Sequence, residues 1–471
     1  MIVATIVLRY PSYLINPRIW AEESIYLETF FSSSNIFDGF DALIYPAYYV
    51  LISRISGFFA SLASPENAAL ITTICGLIVL LIPISIIIFG NSKYWISIKH
   101  KIILSAFIIF SSSTGEIWMN STNVGFIMAV VTFLILIDEN SGALIKKLIY
   151  GTCLILAILT GPISLLMSPF FLYRYLQKKE SSFLVYCFLF LILGLFQISY
   201  FLISHNLETS VGNLNRGIFI STSFTETFFY WLSPNIIFPI FGYFVATGFR
   251  TIMIAGAQKS EQLNIFSELL PFSNETSILL ISASVLMSGI AIAALLISIC
   301  WYLVKRSTKD EVIFMIILFF YLSITLTMLS LGGHGGYRYS FVTSFILLFF
   351  LLQRLSFEIH SIERKVIKAM ISLSIIIGVL EYYPRVISFS PDFRSEYDAK
   401  WPVWKSEVET WKNNPQYKPK VWPYLRMDTN IWPPRSTIWE IDLNEPQTWN
   451  DAGNYKYSQQ VMAFLEENKE K

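Results

Sequence analysis

Apolar runs of roughly membrane-span length recur along this chain from residue 66 to residue 381, and they leave few folds open. A hydrocarbon core of about 30 Å takes about 20 helical residues to cross. Composition agrees: 54% of the 471 residues are hydrophobic and 14% are charged, against about a quarter charged in soluble domains. Mean hydropathy is +0.55. The chain therefore reads as an all-α, polytopic helical bundle in a lipid bilayer. A net charge of +1 argues against a nucleic-acid partner. Cys75, Cys153, Cys187 and Cys300 fall inside apolar runs without CxxC spacing and read as small core residues. His100, His205, His334 and His360 are scattered, so spacing discloses no metal site; no cofactor is expected, and a divalent ion near the acids is left open.

Positive charge marks the cytoplasmic loops. Basic loops lie at 91–101, 144–148, 174–180, 305–309 and 354–368, whereas 11–42 carries Glu22, Glu23, Glu28, Asp38 and Asp41 against Arg18 and is expected outside. Counting 43–62 as a crossing would put the basic loop 91–101 outside. Arg54 sits mid-segment and Tyr45, Tyr48 and Tyr49 crowd one end, so 43–62 reads as an outer-face juxtamembrane helix. By the same logic 228–248, broken by Pro234 and Pro239, is a re-entrant or surface piece.

About eleven crossings remain: an N-terminal stub, 66–90, 102–114, 122–138, 147–161, 163–174, 183–204, 277–304, 312–331, 340–354 and 366–381. The stub is too short to span, so the first crossing is expected either to be cut short or to begin upstream of Met1. The chain divides into a membrane domain over 1–381 and a Trp- and Pro-rich extracytoplasmic region over 382–471.

Three outer segments could carry chemistry. Glu22 and Glu23, after Arg18 and Trp20, open an amphipathic helix, where acids also simply complement the helix dipole. Glu116 is the lone acid of the second outer loop, with Trp118, Asn120 and Asn123 beside it. The turn Gly332-Gly333-His334-Gly335-Gly336-Tyr337-Arg338-Tyr339 offers backbone N–H groups and a guanidinium suited to phosphate. A tight interhelical turn with a snorkelling arginine is the plainer alternative. Acids facing an anion-binding arginine suit sugar transfer from a lipid phosphate. The acceptor hydroxyl needs a carboxylate base, while the departing phosphate is already a stable anion. No strand–GxGxxG–helix unit is present, which argues against a nucleotide-sugar donor.

The segments NPRIWAEESIYL, YPAYYVLISRISG, SSSTGEIWMNSTN, TGPISLLMSPFFLYR and GGYRYSF together resemble bacterial GT-C superfamily glycosyltransferases over most of the membrane region. The resemblance implies an inverting transfer from an undecaprenyl-phosphate sugar to a cell-surface glycan such as O-antigen, on the periplasmic face of the inner membrane. It implies a base at Glu22 or Glu23 and a further functional acid at Glu116. Donor phosphate would meet Arg338, His334, Tyr337 and Arg18; sugars would meet Trp20, Trp118, Asn120 and Asn123. An O-antigen ligase or polymerase would instead rely on His334 and Arg338. A lipid-sugar flippase would place ionisable groups at mid-bilayer, where this chain has almost none.

Overall fold

A computed structural model describes residues 2–9, 11–20, 22–32, 36–41, 48–90, 92–95, 97–110, 117–138, 144–211, 229–242, 245–250, 310–329, 337–356, 360–386, 403–428, 435–441 and 443. In chain order the helices are α1 (Ile2–Arg9), α2 (Ser12–Ile15), α3 (Glu23–Ser32), α4 (Ile36–Asp41), α5 (Leu51–Ser61), α6 (Ala68–Phe89), α7 (Ile98–Ile109), α8 (Val124–Ile137), α9 (Leu144–Ile158), α10 (Ser168–Lys178) and α11 (Ser181–Val211). They continue as α12 (Asp310–Leu329), α13 (Phe341–Arg354), α14 (Ser361–Val386) and α15 (Trp404–Asn413). Helix dominates, and a two-stranded antiparallel ribbon, β1 (Lys420–Asp428) and β2 (Arg435–Glu440), adds the strands.

The chain forms two compact units. The first comprises Met1–Ile96, Thr114–Leu214 and Tyr383–Lys471; the second comprises Ser97–Ser113 and Asn215–Tyr382.

In the first unit α3 packs on α5, α5 on α6, α6 on α8, and α8 on α9. Helix α8 is apolar all round and buried along its length, the pattern of a helix enclosed by others. Helix α11 is different. It leaves Phe188, Leu191, Ile192, Leu195, Ile198 and Phe201 exposed, a continuous apolar surface of the kind that lipid covers. Among the described residues, Pro65–Phe89 and Ser181–Ile203 are long and apolar enough to cross a membrane. Helix α6 alone, 22 residues, rises about 33 Å.

Helix α5 has 11 residues, about 16 Å, and falls short of a hydrocarbon core. Its Arg54 is buried, 1% exposed. The guanidinium is enclosed: Nη1 donates to the Gly39 and Phe40 carbonyls at 2.7 and 3.0 Å, and Nη2 to the Tyr200 hydroxyl at 2.9 Å. The Tyr49 ring lies 4.4 Å away. Arg54 thus ties the end of α4 to α5 and α11. At the far end of α8, Asp138 occupies a position the helix dipole disfavours for an anion. Lys146 at 2.7 Å and the Tyr150 hydroxyl at 2.6 Å compensate.

In the second unit the stretch 229–242 is helical with a π turn at Ser233–Ile237, where Pro234 withholds an N–H. It is no surface piece, since Phe229, Leu232, Phe238 and Ile240 are buried. Asn235 holds the turn in place. Its Nδ2 donates to the Trp231 carbonyl and the Thr327 hydroxyl, and its Oδ1 accepts from Thr343 at 2.6 Å.

One glycine of α6 lets the loop at 117–123 settle against that helix. A Cβ on Gly76 would stand 2.5 Å from the Met119 carbonyl carbon and 2.6 Å from the Asn120 nitrogen, both backbone atoms. Gly76→Ala is expected to destabilise the protein by about 1–3 kcal/mol through overpacking. Gly151→Ala in α9, where nothing lies within 4 Å, should be neutral or stabilising. Thermal unfolding of both variants in detergent checks this, and equal melting temperatures would refute the close approach.

Candidate functional site

The acid pair lies where the segment 11–22 turns into α3. The Trp20 carbonyl accepts the Glu23 N–H at 2.8 Å, and the Trp20 N–H donates to Glu23 Oε2 at 2.8 Å. That is half of a capping box, in which a glutamate at the third position satisfies an amide at the helix start. The other carboxylate oxygen reaches out of the segment. Glu23 Oε1 accepts the Ser121 N–H at 2.5 Å and the Ser121 hydroxyl at 2.8 Å. The Ser121 carbonyl in turn accepts the Ser53 hydroxyl of α5 at 2.8 Å.

The loop at 117–123 is shaped to make this contact. Met119 takes a left-handed conformation, φ 51°, which turns the chain. Asn120 Oδ1 then accepts the Thr122 and Asn123 N–H groups at 3.2 and 2.9 Å, an Asx turn that leads into α8. The loop rests against α6 at Gly76. Ser121 thereby joins α3 and α5 to the start of α8.

The two glutamates differ sharply. Glu23 is 2% exposed and both its oxygens are engaged. Burial pushes its carboxyl above the usual value of 4.5, opposed by the Ser121 and Trp20 donors and by the Arg18 charge. Glu22 is partly exposed, and its Oε2 is enclosed without a hydrogen-bond partner among the described residues. Two polar atoms of the loop that carries Ser121 share that condition: the indole N–H of Trp118, a residue 3% exposed, and the Thr122 hydroxyl.

Aromatic faces hold the cations of this region. The Arg18 guanidinium lies 4.1 Å from the Tyr13 ring and 4.6 Å from the Trp20 ring. Arg9 lies 4.3 Å over Trp118. The structure thus brings together Arg18, Trp20, Glu22, Glu23, Trp118, Asn120 and Asn123. Asn120 acts there as a backbone cap, and Asn123 stands at the start of α8.

Arg338 belongs to the second unit, in the turn Tyr337–Ser340 ahead of α13, 5.4 Å from the Tyr339 ring. Tyr337 is described by its backbone alone, and Glu116 and His334 lie outside the described residues. No cluster of three or more His, Cys, Asp or Glu side chains occurs among the described residues. Sequence reasoning missed Ser53, Ser121, Thr122 and Arg9. The first three are short hydroxyl residues of a kind found in any loop or helix, and Arg9 lay in a stub read for length alone.

Comparison with protein-family profiles, with characterised proteins and with solved structures gave no match.

The raised Glu23 carboxyl has a consequence for stability. The folded protein holds that proton more tightly than the unfolded chain does. Its contribution is therefore fully present below the ordinary value of 4.5 and is lost as pH rises through the elevated folded value. Glu23→Gln removes this titration, although its amide would oppose the Trp20 N–H and lower stability throughout. The wild-type melting temperature minus that of the variant should fall as pH rises above 4.5. A flat or rising difference would show that the donors outweigh burial.

Proposed function

We propose that this protein is an integral-membrane glycosyltransferase of GT-C type. It moves a sugar from an undecaprenyl-phosphate donor to a cell-surface glycan, O-antigen being the nearest fit, on the periplasmic face of a bacterial inner membrane. About eleven crossings with outer-face juxtamembrane helices complete the reading. The observation that carries it is the condition of the acid pair. Two outer loops converge on it, Glu23 is fully engaged by them, and Glu22 keeps an enclosed carboxylate oxygen without a partner among the described residues.

Glu22 is then the base. It takes the proton of the acceptor hydroxyl as that oxygen bonds to the anomeric carbon, and the bond from that carbon to the phosphate oxygen breaks with inversion. The electron pair leaves with the lipid phosphate, which needs cations and N–H donors and no proton. On the resemblance, Arg338 supplies the cation. Arg18, held between two rings beside Glu23, shapes the field of the acid pair. The Trp118 N–H and the Thr122 hydroxyl are enclosed without a hydrogen-bond partner among the described residues, and sugar hydroxyls would supply one. Glu116 remains a second functional acid on the resemblance alone.

The test is transfer of radiolabelled glucose from undecaprenyl-phosphate glucose to purified O-antigen lipopolysaccharide by protein in lipid nanodiscs. Glu22→Gln should lower kcat by about 10²–10⁴-fold, the usual worth of a general base, with the melting temperature unchanged. Glu23→Gln should act first on stability. Normal transfer by Glu22→Gln would sink the assignment, and loss of transfer in His334→Ala alone would favour a ligase-type site.

A further inference from the structure

The C-terminal region has no task in the proposed transfer, yet it packs on the segment that carries the acid pair. A single buried apolar cluster unites Ile19 and Leu27, which bracket Glu22 and Glu23 in sequence, with Ala60, Ala68 and Ala69, and with Trp404, Val408, Val421, Ile441 and Leu443 of the tail. Trp404 is the anchor. It is 2% exposed, and its indole N–H donates to the Pro65 carbonyl at 2.8 Å. The three alanines leave room for an indole where larger side chains would not. One helical turn on from Trp404 lies Val408, fully buried, and two turns on Lys412 pairs with Glu66.

The tail is also braced within itself. Glu407 of α15 accepts the Tyr417 hydroxyl at 2.6 Å and the Lys420 N–H at 2.9 Å, fixing the helix to the start of the ribbon. The Ile441 N–H donates to the Pro419 carbonyl at 2.9 Å, closing the far end of the ribbon onto the same point. The tail therefore meets the cluster as one body.

We infer that α15 is a clamp that fixes α3 in place and with it the Glu22 carboxylate, Trp404 being its positioning residue; the clause about Glu22 rests on the proposed transfer reaction. Helix α3 has 10 residues, too few to hold its shape without packing. One side of it leans on α5, and Glu23 pins its first turn to Ser121. Ile19 and Leu27 are held from the tail side. Removing the indole leaves a hollow in the cluster that holds both, and a base displaced by about 1 Å can lose about 10²-fold in rate.

The test uses the full-length protein in nanodiscs and two measurements. The first is amide hydrogen exchange across residues 19–32 without substrate. The second is steady-state transfer from undecaprenyl-phosphate glucose to O-antigen lipopolysaccharide. Trp404→Ala should raise exchange in α3 and lower kcat by about tenfold or more, leaving the KM for the donor within about threefold. Trp404→Phe keeps most of the packing and should restore both.

Unchanged exchange in Trp404→Ala would overturn the clamp. So would raised exchange with unchanged kcat while Glu22→Gln is inactive. If Trp404→Ala does not accumulate, Val408→Ala makes a smaller hollow at the same place and is read the same way. Normal transfer by Glu22→Gln would instead end the proposed reaction, and the exchange measurement would still decide the clamp.

Discussion

A carboxylate withdrawn from water is tolerated only when donors replace its hydration, and at Glu23 those donors come from distant parts of the chain. Its oxygens take the Trp20 N–H from its own helix start and the Ser121 N–H and hydroxyl from the loop ahead of α8. Removing any one of these leaves a buried charge short of a partner, at a cost of about 1–3 kcal/mol or more. This layer of the first unit is organised around that requirement. Ser121 must be placed to within hydrogen-bond tolerance, so Met119 turns, Asn120 caps, Gly76 yields space and Ser53 holds the Ser121 carbonyl.

The buried arginines of this layer obey a related rule. Arg9, Arg18 and Arg54 each lie 4.1 to 4.6 Å from an aromatic ring. A guanidinium is planar and weakly hydrated, so it can lie on a ring face while its edge donates to carbonyls or hydroxyls, as Arg54 does to Gly39, Phe40 and Tyr200. Lysine could not replace it there. Arg54 in this way stitches α4 to α5, helices of 6 and 11 residues that lack the length to stand alone.

Much of this was legible in the sequence. The long apolar runs could be read because hydropathy and length are local, and α6 and α11 lie where they indicated. Acids beside aromatics drew attention to the segments around Glu22 and Glu116, but the contact between the first of these and the loop ahead of α8 is made by Ser121, which carries no such signal. The difference between Glu22 and Glu23 was not legible: adjacent residues at a helix start point about 100° apart, and only the position of Ser121 decides which is consumed. Arg54 was rightly flagged as unusual, but its partners at 39, 40 and 200 are invisible to any local window. The cluster joining Ile19 to Trp404 fails for the same reason. Strand β1 contains Pro423, which a central strand excludes and a two-stranded ribbon accepts.

A general base faces conflicting demands. It must be rigid enough to meet the acceptor oxygen, yet any hydrogen bond that fixes its carboxylate also occupies the lone pairs it needs. Duplicating the acid separates the two demands. Under the proposed reaction, Glu23 takes the bonds and the burial, and the backbone it immobilises carries Glu22 one residue away, with an enclosed oxygen that has no hydrogen-bond partner among the described residues. On that proposal the pair is a single device with unequal members. Its rigidity comes from what lies around it, the cluster holding Ile19 and Leu27 on one side and Ser121 on the other.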